Sequence, residues 1–386
     1  MIFDFLYCID WILYTYTVIC VGYILLFAIA SHITKVNKFK TDIIQLQRFA
    51  ILVPAYKEDS VIYSSVSSIL AQEYPSQLFD VIVISDRMAT NTNEILKQAG
   101  AEVLKIHFQE SSKAKALNVA AEYLKARSYD YIVILDADNI IPSNYLLEVN
   151  KTLINSECRA LQTHRKAKNQ NTDMAILDAI IEEMNNSIFR SGHVNLGFSS
   201  ALIGSGMVFD CHWFLTNIKG VNSAGEDKEF EELLLRQRIH IHYANDIVLW
   251  DEKVQKKEAM RNQRRRWIAT QFFLVNLMWK HLPQALKEKN KDYLLKVIQA
   301  FILPRSILLA LIGICCIMTS IFSISIKWWI TFLCYLMALY IAIPSSMKNK
   351  QLFKTIRYIP FFIYAMISNL FHLKEAGKKF IHTKHG

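Results

Sequence analysis

Long runs without charged residues lie at both ends of the chain and flank a middle part of mixed character. The runs at residues 11–31, 306–326 and 328–347 contain no aspartate, glutamate, lysine or arginine. Each run is long enough to cross a hydrocarbon core of ~30 Å as a helix. A buried core helix has a similar composition, but three such runs with lysine and tryptophan beside them favour membrane helices.

The middle part alternates short apolar segments with segments of helical periodicity. The predicted strands span residues 49–53, 81–85, 102–106 and 131–135, and the predicted helices span residues 60–72, 93–99 and 113–126. This alternation predicts a doubly wound α/β sheet, in which ligands bind beyond the carboxyl ends of the strands. We expect Asp59 or Ser60 to cap the first of these helices.

Basic residues cluster beside the apolar runs and account for much of the formal net charge of +10. They are Lys35, Lys38, Lys40, Lys348, Lys350, Lys354 and Arg357. The positive-inside rule places these loops in the cytoplasm, with the N-terminus and the connection at Lys327 outside. A nucleic-acid partner explains the charge less well, and we expect none. The apolar segment 358–373 is short and is followed by a basic tail, which favours the membrane interface over a full crossing.

The seven cysteines carry no CxxC spacing. Neither a zinc site nor a disulfide framework is therefore indicated, which suits a reducing cytoplasmic compartment.

Two carboxylates two residues apart follow the predicted strand 131–135. Asp136 and Asp138 supply oxygen ligands of the kind that Mg²⁺ and Mn²⁺ prefer, and these cations also bind nucleotide phosphates. Such a cation would neutralise a diphosphate leaving group. An ordinary turn has the same sequence character, and this alternative stays open here.

Polar groups also follow the first two predicted strands. Asp86 can accept a hydrogen bond from a base or a ribose, or it can cap the next helix. The first strand is followed by Pro54, Ala55, Tyr56 and Glu58. Tyr56 can stack on a base and Glu58 can bind ribose, unless the segment is a plain strand-to-helix turn.

Three further stations lie later in the chain. Lys113 and Lys115 precede a helix whose N-terminus can meet phosphate, although solvated lysines are the alternative. Glu226 and Asp227 open an acidic, leucine-rich segment. They either cap a helix or provide a general base that removes a proton from an acceptor hydroxyl.

A basic and aromatic cluster comes directly before a long apolar segment. Gln263, Arg266 and Trp267 share one face of a helix. Arg266 can bridge a pyrophosphate and Trp267 can stack on a sugar ring. We expect Arg264 and Arg265 to point elsewhere, towards anionic headgroups. A simple juxtamembrane anchor is the alternative for the whole cluster.

Taken in order, these stations resemble the membrane-integrated family 2 glycosyltransferases, such as the cellulose, chitin, hyaluronan and poly-N-acetylglucosamine synthases. The family pattern is a nucleotide-binding aspartate, a DxD, an acidic pair that contains the base, and QxxRW. The corresponding residues are Asp86, Asp136 and Asp138, Glu226 and Asp227, and Gln263, Arg266 and Trp267. The resemblance covers roughly residues 48–267 and the flanking apolar runs.

Several positions depart from the family pattern or extend it. Residues 112–118 are similar to the family's Gly-Lys-Ala-x-Ala-Leu-Asn, with Ser112 in place of the glycine. Lys57 stands where asparagine is usual, and Gly225 stands where threonine usually precedes the acidic pair. Gly204, Ser205 and Gly206 fall where the family binds its acceptor, together with Trp267.

The resemblance implies a GT-A nucleotide-sugar-binding domain flanked by transmembrane and interface helices. It divides the chain into an N-terminal membrane helix and linker (1–45), a catalytic domain (46–259), interface helices (260–300) and a C-terminal membrane region with a basic tail (301–386). It implies an inverting transfer from a UDP-sugar, with Asp227 as base beside Glu226 and with Mg²⁺ or Mn²⁺ on Asp138 and Asp136. The donor site would comprise Pro54, Ala55, Tyr56, Glu58, Asp86, Lys113, Asp136, Gln263, Arg266 and Trp267.

The expected acceptor is a growing polysaccharide or a lipid-linked sugar, and the expected location is the plasma membrane of a bacterium with the catalytic domain in the cytoplasm. Two alternatives remain open from the sequence. One is the transfer of a single sugar to a lipid carrier or glycolipid. The other is a non-catalytic assembly protein that keeps a transferase scaffold.

Overall fold

The computed structural model of the chain describes residues 2–33, 45–255, 257–322 and 326–370. The helices in this part are α1 (Ile2–Ala30), α2 (Ile62–Leu70), α3 (Thr90–Gln98), α4 (Lys113–Leu124), α5 (Tyr145–Ser156), α6 (Asp173–Asn186), α7 (Gly192–Asn195), α8 (Cys211–Asn217), α9 (Glu226–Arg236), α10 (Lys257–Lys287), α11 (Lys291–Phe301), α12 (Arg305–Phe322), α13 (Ile326–Ala342), α14 (Lys350–Ile356) and α15 (Ile359–Leu370). The lysines expected on the first cytoplasmic loop and the basic tail lie outside the described residues.

Seven strands form one mixed sheet in the order β3-β2-β1-β4-β6-β5-β7. The strands are β1 (Phe49–Tyr56), β2 (Phe79–Asp86), β3 (Glu102–Ile106), β4 (Tyr131–Ile134), β5 (Ala160–Ala167), β6 (Met207–Asp210) and β7 (Ile241–Asp251). The first four strands are parallel, as the alternating pattern predicts. Strand β6 runs antiparallel to both β4 and β5, which the doubly wound pattern does not predict.

The sheet is buried on both faces, which explains the continuous apolar sequence of β4. Ile132 and Ile134 pack on the α4 face, whereas Val133 and Leu135 pack on the α5 face. Successive residues of a strand point to opposite faces, so a strand covered on both sides favours apolar residues at every position. The carboxyl ends of β1, β2 and β4 meet at one edge, where Tyr56 lies beside Asp86.

Helices α1 and α13 lie side by side and run in the same direction. At one end Lys327 contacts the Asp10 carboxylate, and the Trp328 indole N–H donates to it over 2.8 Å. At the other end a His32 ring nitrogen lies 3.0 Å from the Ile341 carbonyl oxygen. This parallel arrangement agrees with the expectation that the N-terminus and the Lys327 connection share one side.

By length and composition, the segment Tyr7–Ala30 of α1 is apolar enough to cross a membrane. Helices α11 and α12 meet the same criterion together, but they are bent by 60° at the break between them. Helices α13 and α15 are apolar but shorter. A buried core helix or an N-terminal signal sequence also satisfies this criterion.

Helix α1 packs closely on the segment that joins α6 to α7. Residues Ser187–Ser191 form a π-helical turn there. The next residue is Gly192, and a Cβ at this position would lie 2.2 Å from the Phe27 carbonyl oxygen. One residue further, a ring nitrogen of His193 lies 2.7 Å from the Tyr23 hydroxyl. The apolar N-terminal helix is therefore attached to the segment between α6 and α7 by backbone and side-chain contacts.

The prediction that Asp59 or Ser60 caps α2 is wrong. Helix α2 begins after Val61, and no side chain caps it. The Asp59 carboxylate instead accepts from the Ala89 backbone N–H over 2.9 Å, and so ties the β1–α2 loop to the start of α3.

Candidate active site

A cavity of about 900 Å³ lies between the carboxyl edge of the sheet and helix α10. Among the predicted site residues, those lining it are Pro54, Ala55, Tyr56, Glu58, Asp86, Lys113, Asp136, Asp138, Gly204, Glu226, Asp227, Gln263, Arg266 and Trp267. The structure thus brings together side chains from strand ends, a glycine-containing loop and two helix starts. These residues are spread over more than half of the sequence.

Lys113 lies where the two acidic stations meet. Helix α4 starts at this residue because the Ser112 hydroxyl accepts from the Lys115 backbone N–H over 3.2 Å. The Lys113 ammonium contacts the Asp136 carboxylate, donates to the Gly204 carbonyl over 2.6 Å and lies 3.7 Å from the Glu226 carboxylate. Burial lowers the pKa of Lys113, but the two carboxylates outweigh burial and the net direction is upward. In this structure the lysine thus bridges two carboxylates.

Lys115 has a different environment from Lys113. Its ammonium donates to the Glu110 carbonyl over 2.7 Å, on the loop before α4. It does not line the cavity, so only one of the two lysines expected near phosphate is in position.

Asp138 is 5% exposed and belongs to a buried carboxylate cluster. It accepts from the Asn139 amide over 3.2 Å and from the Glu252 backbone N–H over 3.3 Å. Burial raises its pKa well above the ordinary value, and the negative charges of Asp251 and Asp136 raise it further. Like charges gathered in a buried place favour a cation between them.

No three His, Cys, Asp or Glu side chains in the described ranges are arranged as a ready metal site. The donor set nevertheless fits a hard divalent cation that takes part of its coordination from a ligand. Asp136 and Asp138 offer carboxylate oxygens at the cavity wall, and Mg²⁺ or Mn²⁺ usually adds substrate phosphates to one or two such carboxylates.

Asp251, at the end of β7, was not among the predicted site residues. Its carboxylate accepts from the Asn139 amide over 3.2 Å and pairs with Lys253 over 2.8 Å. Burial raises the pKa of Asp251, but Lys253 and Arg165 outweigh burial and the net direction is downward. The sequence signal that found Asp86 and Asp136, an acid directly after an apolar strand, also marks this position.

The acidic pair begins α9 without acting as its side-chain cap. The cap residue is Gly225, and no side chain bonds to the helix start. Glu226 is 7% exposed, and burial raises its pKa from 4.5 to about 7 although the Lys113 cation opposes this. Asp227 lies 3.4 Å from the Lys228 ammonium. Both carboxylates face the cavity, which favours a chemical role over the capping alternative.

Asp227 is the first member of a chain of ion pairs that continues into the protein interior. Lys228 donates to the Leu202 carbonyl over 2.5 Å and pairs with the fully buried Glu231 over 3.0 Å. Glu231 also contacts Lys296 of α11. The acidic pair is therefore linked to α11 through Lys228, Glu231 and Lys296, three charged side chains that the sequence pattern did not single out.

The position of Asp86 bears on the two alternatives for this residue, a ligand-binding carboxylate and a helix cap. It ends β2, is 4% exposed and lines the cavity. Its Oδ1 atom has no hydrogen-bond partner in the part of the chain that the structure describes. Helix α3 starts after Ala89 without a side-chain cap, so Asp86 does not cap it. A buried oxygen without a partner requires an explanation, and a polar ligand supplies one.

Gln263, Arg266 and Trp267 all line the cavity from α10, so the predicted common face is confirmed. The Gln263 Oε1 atom is buried without a hydrogen-bond partner among the described residues. Burial lowers the pKa of Arg266, and the Glu226 and Asp136 carboxylates oppose that shift. Trp267 is 37% exposed and offers its ring to the cavity.

The expectation for Arg264 is wrong. Its guanidinium is buried, pairs with Asp178 over 2.6 Å and lies 4.1 Å from the centroid of the Trp267 ring. A buried carboxylate on α6 holds it inside the protein, so it is not available to headgroups.

Ser205 and Gly206 lie behind the cavity wall, whereas Gly204 lines it. The Ser205 hydroxyl accepts from the Asp136 backbone N–H over 3.1 Å. Gly206 has φ +65°, and a Cβ there would lie 2.3 Å from both Leu249 and Thr163. These two residues shape the loop that carries Asp136.

Two departures from the family pattern differ in their structural consequence: the one at position 57 is unfavourable for the backbone, and the one at position 225 relieves a close contact. Lys57 has φ +57°, a left-handed conformation that asparagine adopts more readily than lysine. A Cβ on Gly225 would lie 2.5 Å from Thr270 Cγ2, so the glycine makes room for a threonine on α10.

Residues 47–270 match the family model described as glycosyltransferase like family 2. The match covers more than half of the chain, and the chain belongs to this family of sugar-transferring enzymes. The poly-β-1,6-N-acetyl-D-glucosamine synthase of Staphylococcus epidermidis is 32% identical over 111 residues, which are 27% of this chain and 26% of that protein. The corresponding synthase of Staphylococcus aureus strain COL is 31% identical over 110 residues, again 27% and 26% of the two chains. The alignments span about a quarter of these curated relatives.

Among solved structures, the mannosyltransferase PcManGT from Pyrobaculum calidifontis, in complex with GDP-Man and Mn²⁺, superimposes with a TM-score of 0.60 at 15% identity. The superposition covers 94% of this chain and 99% of that chain. At this identity the likeness shows the fold, which is the GT-A glycosyltransferase fold.

Proposed function

We propose that the chain is an inverting membrane glycosyltransferase that moves a sugar from a UDP-sugar to a growing β-linked polysaccharide. The observation that carries this proposal is the meeting of two carboxylate pairs in one cavity, with Lys113 in contact with Asp136 and 3.7 Å from Glu226. A transferase needs one group of acids near the donor diphosphate and a separate base near the acceptor.

The donor is proposed to lie along the carboxyl edge of the sheet. Asp86 supplies a buried acceptor oxygen for the base or ribose, and Tyr56 and Glu58 line the same end of the cavity. Lys113 and Arg266 lie close to the acids and supply positive charge for the diphosphate. A bound Mg²⁺ or Mn²⁺ would be held by Asp138 and Asp136 and would neutralise the leaving diphosphate; the Mn²⁺ in the PcManGT complex supports this choice.

Asp227 is proposed as the general base. It removes the proton from an acceptor hydroxyl as the hydroxyl oxygen forms a bond to the anomeric carbon and the bond to the diphosphate breaks. Attack from the face opposite the leaving group inverts the anomeric carbon. Lys228 lies 3.4 Å from Asp227 and holds its carboxylate in place at the cavity wall.

The membrane location is part of the proposal. Its support is the apolar character of α1 and of the bent pair α11 and α12. We propose the division 1–45, 46–259, 260–300 and 301–386, with the catalytic part in the cytoplasm at the plasma membrane of a bacterium.

Transfer of a single sugar to a lipid-linked acceptor is the second candidate. It is favoured by the apolar wall that α13, α14 and α15 contribute to the same cavity. The test is incubation of membranes containing the protein with a panel of radiolabelled UDP-sugars and GDP-mannose, followed by sizing of the product. The proposal expects one UDP-sugar to give a polymer. A mono-glycosylated lipid as the sole product would replace it with the second candidate, and the absence of any transfer would reject both.

A further inference from the structure

A fully buried carboxylate lies one helical turn after the acidic pair. Glu231 follows Asp227 by four residues on α9, so the two side chains lie on the same side of the helix. Glu231 is not among the described residues that line the cavity, and it is therefore out of reach of a ligand there. A buried charge is costly unless it is paired and hydrogen-bonded, so the partners of Glu231 indicate what it does.

Two ammonium groups share the Glu231 carboxylate. The Lys228 Nζ atom lies 3.0 Å from its Oε2 atom, and the Lys296 ammonium contacts its Oε1 atom. Lys228 also lies 3.4 Å from Asp227. Charges of opposite sign therefore alternate along Asp227, Lys228, Glu231 and Lys296. The first two side chains line the cavity, and Glu231 holds the second of them from behind.

Lys228 and Glu231 also hold the backbone of the loop before β6. Lys228 donates to the Leu202 carbonyl over 2.5 Å, and the Leu202 backbone N–H donates to Glu231 Oε2 over 2.9 Å. Two residues further, the Gly204 carbonyl accepts from Lys113 over 2.6 Å. The first turns of α9 are thus fixed relative to the loop that contacts Lys113 at the other carboxylate pair.

We infer that Glu231 is a positioning residue of the transfer reaction, which through Lys228 holds the Asp227 carboxylate where it can take the proton of the acceptor. The inference rests on the proposed role of Asp227 as general base. A base must lie within hydrogen-bond reach of the proton it removes, and a displacement of about 1 Å can cost ~10²-fold in rate. Without the charge of Glu231, Lys228 and Lys296 repel each other across a buried site, and Lys228 leaves its place beside Asp227.

The test separates turnover from donor binding in the purified full chain. Glu231→Gln keeps the size of the side chain and an acceptor for the Leu202 N–H, but it removes the charge. The kcat is measured with the nucleotide sugar that wild type transfers, and the Kd is measured for the nucleoside diphosphate of that donor. We expect kcat to fall about tenfold or more and Kd to stay unchanged, because only the position of the base is altered. An unchanged kcat would overturn the inference.

Lys228→Gln breaks the same link from the cavity side and is the second variant, should Glu231→Gln fail to fold. We expect it to lower kcat while Kd is retained, and an unchanged kcat would again overturn the inference. Thermal unfolding of each variant shows that the rates belong to folded protein.

The neighbouring residue of α9 provides a matched control. Glu232 is 2% exposed, pairs with Arg236 over 3.2 Å and lies 3.1 Å from a ring nitrogen of His281. Like Glu231, it is a buried carboxylate away from the cavity wall. We expect Glu232→Gln to keep the wild-type kcat. An equal loss of kcat in Glu231→Gln and Glu232→Gln would show a general loosening of α9 and would overturn the inference.

A double variant tests whether the charge of Glu231 is what matters. Glu231→Gln combined with Lys296→Gln removes one charge of each sign, so Lys228 no longer faces a second ammonium group. We expect most of the lost kcat to return, and a double variant as slow as Glu231→Gln would overturn the inference. Near-normal kcat in Asp227→Asn would reject both the proposed base and this inference. The expected pattern with a donor other than a UDP-sugar would support the inference and reject the donor of the proposed function.

Discussion

The Lys113 ammonium lies 3.7 Å from the Glu226 carboxylate while it contacts Asp136. One cation thus joins the DxD turn after β4 to the acidic pair that opens α9. A change at either acid therefore changes the charge that the other experiences.

Glu226→Gln should change how stability depends on pH. The carboxyl has a pKa of about 7 in the folded protein against an ordinary 4.5. Between these values the folded state holds a proton that the unfolded state has released, so wild type loses stability as pH rises through this window. Glu226→Gln removes that loss, about 1–3 kcal/mol over the window. Thermal unfolding of wild type and Glu226→Gln from pH 4.5 to 7.5 measures this change of stability with pH. Glu258→Gln, at an exposed position of α10, is the control, and parallel curves for wild type and Glu226→Gln would contradict the prediction.

Asp227→Asn should retain binding of the UDP-sugar, because the base acts on the acceptor. Turnover should fall by ~10²-fold or more, the usual scale for a positioned acid or base. A binding titration beside initial-rate measurements separates the two effects. Near-normal turnover would reduce Asp227 to a structural partner of Lys228.

Asp138→Asn should abolish transfer while the protein stays folded. The amide keeps the shape of the side chain but is a poor ligand for a hard divalent cation. It also relieves the repulsion from Asp251 and Asp136, so we expect equal or higher thermal stability. Activity is measured with Mn²⁺, with Mg²⁺ and with excess EDTA. Wild-type activity that persists in EDTA would exclude the metal proposal.

Trp267→Ala should shorten the product more than it weakens UDP binding. The ring faces the cavity beside Arg266, where an acceptor sugar would stack near the diphosphate. Arg266→Ala should weaken donor binding as well. Trp267→Phe is the matched control, since it keeps a flat ring above Arg264. Sizing of the product and a UDP titration of each variant separate the two effects. Unchanged product length in Trp267→Ala would refute a role of Trp267 in holding the growing chain.

Lys57→Asn should raise the free energy of unfolding by about 0.5–1 kcal/mol. Lys57 has φ +57°, and a side chain with a Cβ disfavours this conformation, asparagine less than others. Lys57→Ala removes the charge without this benefit and serves as the control. Thermal unfolding of wild type, Lys57→Asn and Lys57→Ala ranks their stabilities. Equal gains in both variants would assign the effect to charge.

The sequence predicted the strand ends well because a parallel strand buried on both faces leaves a clear signal. Asp86 and Asp136 follow such strands, and both line the cavity. Asp251 carries the same signal, because it follows the apolar residues 247–250 directly, but β7 itself was not among the predicted strands. Strand β6 is only four residues long, so its antiparallel pairing had no periodicity to reveal it.

The buried charges could not be predicted from the pattern. Arg165, Glu182 and Arg190 stand on β5, on α6 and in the π-helical turn, where each resembles a solvated residue in the sequence. Their pairing depends on how α6 crosses the sheet, which local periodicity does not contain. The error at Arg264 has the same origin, because its partner Asp178 lies far away in the sequence.

Gly192 determines how closely α1 approaches the rest of the protein. A single methyl group there would collide with the backbone of Phe27, so α1 and the segment after α6 meet backbone to backbone at this point. In the proposed membrane arrangement, the height and tilt of the active site relative to the lipid surface depend on this contact. An unrelated apolar helix of the same length would still anchor such a protein, but it would leave the active site at an undefined depth.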